Sequence, residues 1–377
     1  MFKKLAALMA VVMLLSVALA PAMAEKNEKL KIVATTFPSY DWLRQILGER
    51  EQEVELSLLQ DSGIDLHNFQ PTAQDFVKVS SADLFVYIGG VSDGWVDAAI
   101  GEAHNKHVLA VNLMDAMGDA VKQDVTVEGM QESAHAHNHD DHEHEAEAAH
   151  DHEHEHEHEA EAAHDHEHEA EAVHDHEHEA EADHDHEHDH EHEHEGREHN
   201  HADEHIWLSL RNAKVLVAAL KDALVQVDAG HAAVYEANAA AYIAKLEALD
   251  KEYAQAVAQV AEPVLLFGDR FPFRYLMDDY GITYYAAFAG CSAETEASFK
   301  TVAFLAGKTD EHKLKAVLTL DGSDQAIAKA VINATGPRDQ QLLTLNAMQS
   351  IGAQDIANGI TYLDIMQDNL AVLRQAL

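Results

Sequence analysis

The chain has 377 residues, is 47% hydrophobic, and carries a formal net charge of −43 from 68 acidic and 25 basic residues. So acidic a chain argues against nucleic acid as a partner, because phosphates would be repelled, and is compatible with cationic ligands. A single cysteine, Cys291, excludes an internal disulfide, so stability must come from ordinary apolar cores, and Cys291 reads as a small buried hydrophobe rather than a ligand.

The start, Met1-Phe2-Lys3-Lys4, is basic. The apolar run Leu5–Ala20 and the small-residue end Ala22-Met23-Ala24 follow. This order describes a secretory signal peptide cleaved after Ala24. The run is short for a membrane span, and no cysteine near Ala24 is present to take a lipid. The expected mature chain is exported, periplasmic or extracytoplasmic, soluble and not membrane-spanning.

Residues 25–130 alternate strand and helix signals. Leu30–Ala34 reads as a strand and Tyr40–Leu47 as a helix closed by Gly48. Val54–Leu59 is a strand, Thr72–Ser80 a helix, Leu84–Ile88 an apolar strand ended by Gly89-Gly90, and Val108–Val111 another strand. Such alternation predicts a parallel sheet.

Residues 131–204 are different in kind. They hold 24 of the 30 histidines and 30 of the 68 acidic residues, with near-copies of His-Asp-His-Glu-His-Glu-Ala-Glu-Ala beginning at His164, His174 and His184. Val173 is the only large apolar residue between Met130 and Ile206. Too little surface can be buried here to offset chain entropy, so the stretch is expected to be a disordered insertion. Imidazoles interleaved with carboxylates bind zinc, copper or nickel, with modest affinity per site because each ion orders the chain.

After the insertion, 205–228 reads as a helical segment completing the first lobe. Residues 229–260 read as a long connecting helix, with Tyr235, Tyr242, Leu246, Leu249 and Tyr253 at helical spacing and best explained as core. In 261–377 the alternation returns. The strands are Val264–Phe267 (ended by Gly268), Ile282–Ala286, Ala316–Leu320 and Leu342–Leu345, and helices include Phe273–Tyr280 and Ile360–Ala376. The predicted fold is α/β: two parallel-sheet lobes joined by one long rigid helix, with the disordered His/acid-rich insertion in the first. Ligands of such sheets bind beyond the carboxyl ends of the strands.

Two short motifs carry chemistry. Asp65-Leu66-His67-Asn68-Phe69-Gln70-Pro71, with Asp75 beyond it, places a histidine on a polar loop after a strand. Asp203-Glu204-His205-Ile206-Trp207-Leu208-Ser209 places another where ordered structure resumes. From the residues alone, His205 is either a ligand or only the last histidine of the tract. His104, His107, His231 and His312 read as surface residues. No His-Glu-x-x-His helix, nucleophile elbow or phosphate loop is present, so no enzyme is expected.

Together these motifs resemble the zinc- and manganese-uptake solute-binding proteins of ABC transporters, the group whose two lobes are joined by a long helix. Leu66 and Glu204 stand where the family's two histidine motifs have proline. Gly89-Gly90, Asp93 and Trp95 are similar to its glycine-to-tryptophan segment. A His/acid-rich loop before the second motif is a feature of zinc-type members. The resemblance implies that His67 and His205 are metal ligands. It also implies zinc as cargo, with manganese or another divalent transition metal as alternatives, an ABC permease with its ATPase as partners, and a monomer. The family's lobe-two ligands are missing: Gly268 stands in Phe267-Gly268-Asp269 and Asn346 in Leu345-Asn346-Ala347-Met348. Asp269, Asp321 or Asn346 would have to complete the shell, although Asp269 could instead pair with Arg270 or Arg274. An exported metal buffer, holding ions mainly on the tract without transport, is the alternative function.

Overall fold

A computed structural model describes residues 29–131, 202–290, 292 and 296–377. The expected signal peptide, Cys291 and nearly all of the His-rich stretch lie outside these residues.

The first sheet is built from β1 (Lys31–Ala34), β2 (Glu55–Leu58), β3 (Leu84–Tyr87) and β4 (Leu109–Asn112), in the order β2-β1-β3-β4 and parallel throughout. Both faces are covered, which is why β3 reads as an unbroken apolar run with Leu84, Phe85 and Val86 all buried. Its helices are α1 (Phe37–Leu47), α2 (Ala73–Ser80), α3 (Val96–Gly101) and α4 (Leu113–Met117). Helix α1 begins three residues earlier than Tyr40, because Pro38 sits in its first turn, where a missing N–H costs nothing. Asp75 belongs to a capping box: its carboxylate accepts from the Thr72 backbone while the Thr72 hydroxyl accepts from the Asp75 backbone.

Helix α5 (Leu210–Val227) packs on this lobe. Helix α6 (Ala232–Val257) has 26 residues and is the connector; at 1.5 Å per residue it spans about 39 Å. Its Tyr235, Tyr242, Leu246, Leu249 and Tyr253 are buried. It touches α1 and α5 on one side and α11 (Tyr362–Ala376) on the other, where the Tyr253 hydroxyl donates to the Met366 carbonyl at 2.6 Å.

The second sheet holds β5 (Val264–Phe271), β6 (Thr283–Ala289), β7 (Ala316–Leu320) and β8 (Gln341–Leu345), order β6-β5-β7-β8, also parallel. Helices α7 (Arg274–Tyr280), α8 (Phe299–Glu311), α9 (Ala326–Ala334) and α10 (Ala353–Ala357) complete it with α11. One expectation is corrected here: β5 does not end at Gly268 but runs on through a register shift to Phe271. Gly268 is a packing glycine. A Cβ on it would lie 2.4 Å from the Ala328 Cα, so α9 approaches β5 only because no side chain intervenes.

One apolar core runs through both lobes, from Trp42 and Leu216 to Phe267 and Met366. The lobes also meet through polar groups. The Trp207 indole N–H donates to the Ala347 carbonyl (2.9 Å), and the Tyr362 hydroxyl donates to the Trp207 carbonyl (2.7 Å). At the rim, Ser62 pairs with Gly352 and the Ala353 N–H donates to the Asp61 carbonyl at 2.7 Å. Among the described residues, no helix is long and apolar enough to cross a membrane.

Candidate metal centre

The site lies beyond the carboxyl ends of the strands, between the lobes. The chain leaves β2 into a polar loop, and Asp65 caps the short 3-10 turn Leu66–Asn68 by accepting the His67 N–H at 3.0 Å. This turn aims the His67 ring into the crevice. Asp203 does the same for His205, accepting its backbone N–H at 3.0 Å just before the 3-10 turn Ile206–Leu208.

The two imidazoles meet edge to face, with ring centres 5.2 Å apart and Nε2 atoms 3.2 Å apart. His205 is fully buried. Its Nδ1 lies 2.8 Å from Asp203 Oδ1. A carboxylate accepts only, so the proton is on Nδ1 and the Nε2 lone pair faces the crevice. His67 Nδ1 lies 3.0 Å from Ser92 Oγ. Burial, and after it the neighbouring His205, holds the His67 imidazole well below its ordinary value, at about 4. The ring is therefore neutral at pH 7, as a ligand must be.

Carboxylates back the pair. Asp203 and Glu204, the final residues of the stretch read as insertion, are both buried, and Ala202 already pairs with Gln123. Glu204 Oε1 accepts the Ser92 N–H at 2.9 Å, whereas Oε2 has no hydrogen-bond partner and sits 3.9 Å from His67 Nδ1. Glu204 fits because Gly90, at φ +82°, has no side chain: a Cβ there would lie 2.5 Å from Oε1. Asp93 is buried as well, and burial, with Glu204 nearby, pushes its carboxyl up to about 6.

Lobe two presents different groups from those expected. Gln349, absent from the sequence reading, brings its Nε2 to 3.0 Å from His205 Nε2. Arg270 donates to Asp65 Oδ2 at 2.8 Å across the crevice, so it does not pair with Asp269, and Arg274 pairs with Asp278. Burial raises the Asp65 carboxyl, but the Arg270 guanidinium beside it outweighs this and holds it below the usual range. Asp269 accepts from the Arg270 and Leu320 backbones. Asp321 accepts from the Ala347 backbone at 2.7 Å and the Ser350 hydroxyl at 2.6 Å. Asn346 accepts from the Met348 N–H at 2.7 Å. The structure thus brings His67 and His205 together and leaves Asp269, at the register shift inside β5, and Asp321 and Asn346, just after β7 and β8, holding backbone donors. Among the described residues, no group of three or more His, Cys, Asp and Glu side chains is gathered to hold an ion. Asp65, Asp269, Arg270 and Asp321 line an adjoining cavity of about 430 Å³.

Two parallel α/β lobes on a helical spine, with a histidine pair in the crevice between them, define a two-lobed binding protein. The chain matches the family described as ZnuA, zinc-uptake complex component A, periplasmic, over residues 32–376, and it belongs to that family. The zinc-binding lipoprotein AdcA of Streptococcus pneumoniae is 26% identical over 373 residues, 99% of this chain and 61% of that relative. The chain therefore spans about three fifths of AdcA. The high-affinity zinc uptake system protein ZnuA of Bacillus subtilis is 27% identical, covering 93% of this chain and 89% of its own length. Two solved structures share the fold. The metal-dependent lipoprotein YcdH of B. subtilis has a TM-score of 0.63 at 22% identity, covering 93% of this chain and 99% of its own. The Zn(II)-bound ZnuA-like domain of S. pneumoniae AdcA has a TM-score of 0.60 at 24%, covering 92% and 98%.

Proposed function

We propose that this chain is the exported solute-binding component of an ABC importer, capturing zinc at His67 and His205 and delivering it to a permease driven by its ATPase. One observation carries the reading: the two Nε2 atoms stand 3.2 Å apart. Two nitrogens of a tetrahedral zinc at about 2.0–2.1 Å are separated by about 3.4 Å, so the pair is already spaced for the ion. Asp203, Glu204 and Asp93 place buried carboxyl groups near it, and among the described residues no lysine or arginine is hydrogen-bonded to them. Uncompensated buried charge is costly, and a dication offsets it. Imidazole nitrogens favour zinc over manganese, which prefers oxygen ligands.

The amide oxygen of Gln349, after rotation of the amide, and water complete the shell. Asp269, Asp321 or Asn346 would each first have to release backbone donors. The His-rich stretch collects further ions by its composition. The reading takes the mature chain as starting at Glu25 and acting as a monomer, with the metal bound and released rather than used in catalysis.

The test is a zinc titration of the full chain followed by tryptophan emission. The three tryptophans are Trp42, Trp95 and Trp207, none of them in the His-rich stretch, and the Trp207 ring centre lies 5.4 Å from that of His205. His67→Ala and His205→Ala should each lose the emission change while keeping most of the total zinc bound. An undiminished change in either variant rejects that histidine as a ligand.

A further inference from the structure

The family resemblance leaves Glu204 unexplained, since it stands at a proline position, and the fold gives it an unusual setting. It is 2% exposed. One oxygen holds the Ser92 backbone. The other is unpartnered and points toward the far side of the His67 ring from the cleft, 3.9 Å from Nδ1. An unpaired carboxylate oxygen in such a place costs free energy unless something in the working state uses it.

The setting of the His67 ring shows what would use it. His67 Nε2 faces His205 Nε2 at 3.2 Å, and His67 Nδ1 lies 3.0 Å from Ser92 Oγ. A neutral imidazole that gives its Nε2 lone pair to an ion carries its proton on Nδ1. That Nδ1–H needs an acceptor, and two are at hand: Ser92 Oγ and Glu204 Oε2.

We infer that Glu204 is a positioning residue for zinc capture, acting on His67 as its neighbour Asp203 acts on His205. Its buried carboxylate stabilises the Nδ1–H tautomer and so frees Nε2 for the ion. Two consecutive residues thus serve the two ligands, one imidazole each. A carboxylate behind a ligating imidazole fixes its orientation and raises its basicity, and such partners change metal affinity by about 10–100-fold. The assignment rests on the zinc-binding reading above.

The full chain is titrated with zinc, followed by tryptophan emission, as wild type, Glu204→Gln, Glu204→Asp, His67→Ala and His205→Ala. Glutamine keeps an oxygen for the Ser92 N–H and removes only the charge. The expected result is a loss of about 10-fold or more in Glu204→Gln and a smaller loss in Glu204→Asp, with the melting temperature of the metal-free Gln variant unchanged. In zinc-loaded wild type, nitrogen NMR should show His67 protonated on Nδ1. A site affinity unchanged in Glu204→Gln overturns the role. A loss as complete as in His205→Ala also overturns it, because Glu204 would then be a ligand. A fall in metal-free melting temperature without loss of affinity reduces Glu204 to a structural residue. An emission change retained in both histidine variants would defeat the zinc-site reading itself, and this role with it.

Discussion

At the scale of single residues, the site is a problem in proton placement. His67 is neutral because burial opposes its charge, which gives the metal-free protein a defined response to acid. The unfolded chain holds His67 at its ordinary value near 6.5, and the folded chain near 4. As pH falls through that window the unfolded state takes up the proton first, so stability present above 6.5 is lost toward 4. Asp93 acts in the opposite sense, because its folded value is raised. The comparison must therefore isolate the imidazole. Between pH 7 and pH 5, wild type should lose stability relative to His67→Gln, read as the difference in urea midpoints; a constant difference would contradict the burial argument. The two histidines were legible in the sequence because each sits in a motif with flanking acids and aromatics. Ser92, Glu204 and Gln349 were not. Ser92 and Gln349 come from distant loops and carry no local signature, and Glu204 was hidden as the last acid of a tract full of them.

At the scale of elements, local patterns predicted all eight described strands and six of the eleven described helices, missing α3, α4, α8, α9 and α10, and the one corrected strand end is informative. Gly268 looked like a strand end because glycine usually weakens strands. Here it continues β5 because α9 needs the space. Placing a histidine at this position, where the resemblance expects a lobe-two ligand, would therefore not restore one. Gly268→His should drive an imidazole into the Ala328 backbone and destabilise the protein by about 3 kcal/mol or more, the upper end for overpacking. No gain in zinc affinity should accompany it. A stable variant with tighter zinc binding would show that the side chain reaches the crevice after all. The register shift that follows Gly268 also explains Arg270: it turns the end of β5 so that the guanidinium crosses to Asp65. A register shift leaves no mark in hydrophobic periodicity, so this link between the lobes could not be read in advance.

At the scale of the whole molecule, the two-lobed plan followed from alternation on either side of a long helical stretch. The shared core did not, because periodicity reports which faces are apolar but not which faces meet. Between Met130 and Ile206 the sequence carries a single large apolar residue, Val173, too little to build a core. Replacing 132–200 with a short glycine-serine linker should accordingly leave the melting temperature within a few degrees of wild type, while most of the bound zinc is lost and the tryptophan-reported site is kept. Unfolding of that protein would show that the tract is part of the structure. The rim contacts have a kinetic consequence. Ser62 meets Gly352, and Ala353 meets Asp61, through main-chain groups, so side-chain exchange alone cannot remove this clasp. An ion behind it leaves no faster than the clasp parts, and the next ion enters no faster. Under the proposed function, such a clasp slows loading and loss alike: it lengthens the dwell time of an ion without changing how tightly the ion is held, and whatever opens the lobes sets the pace of release.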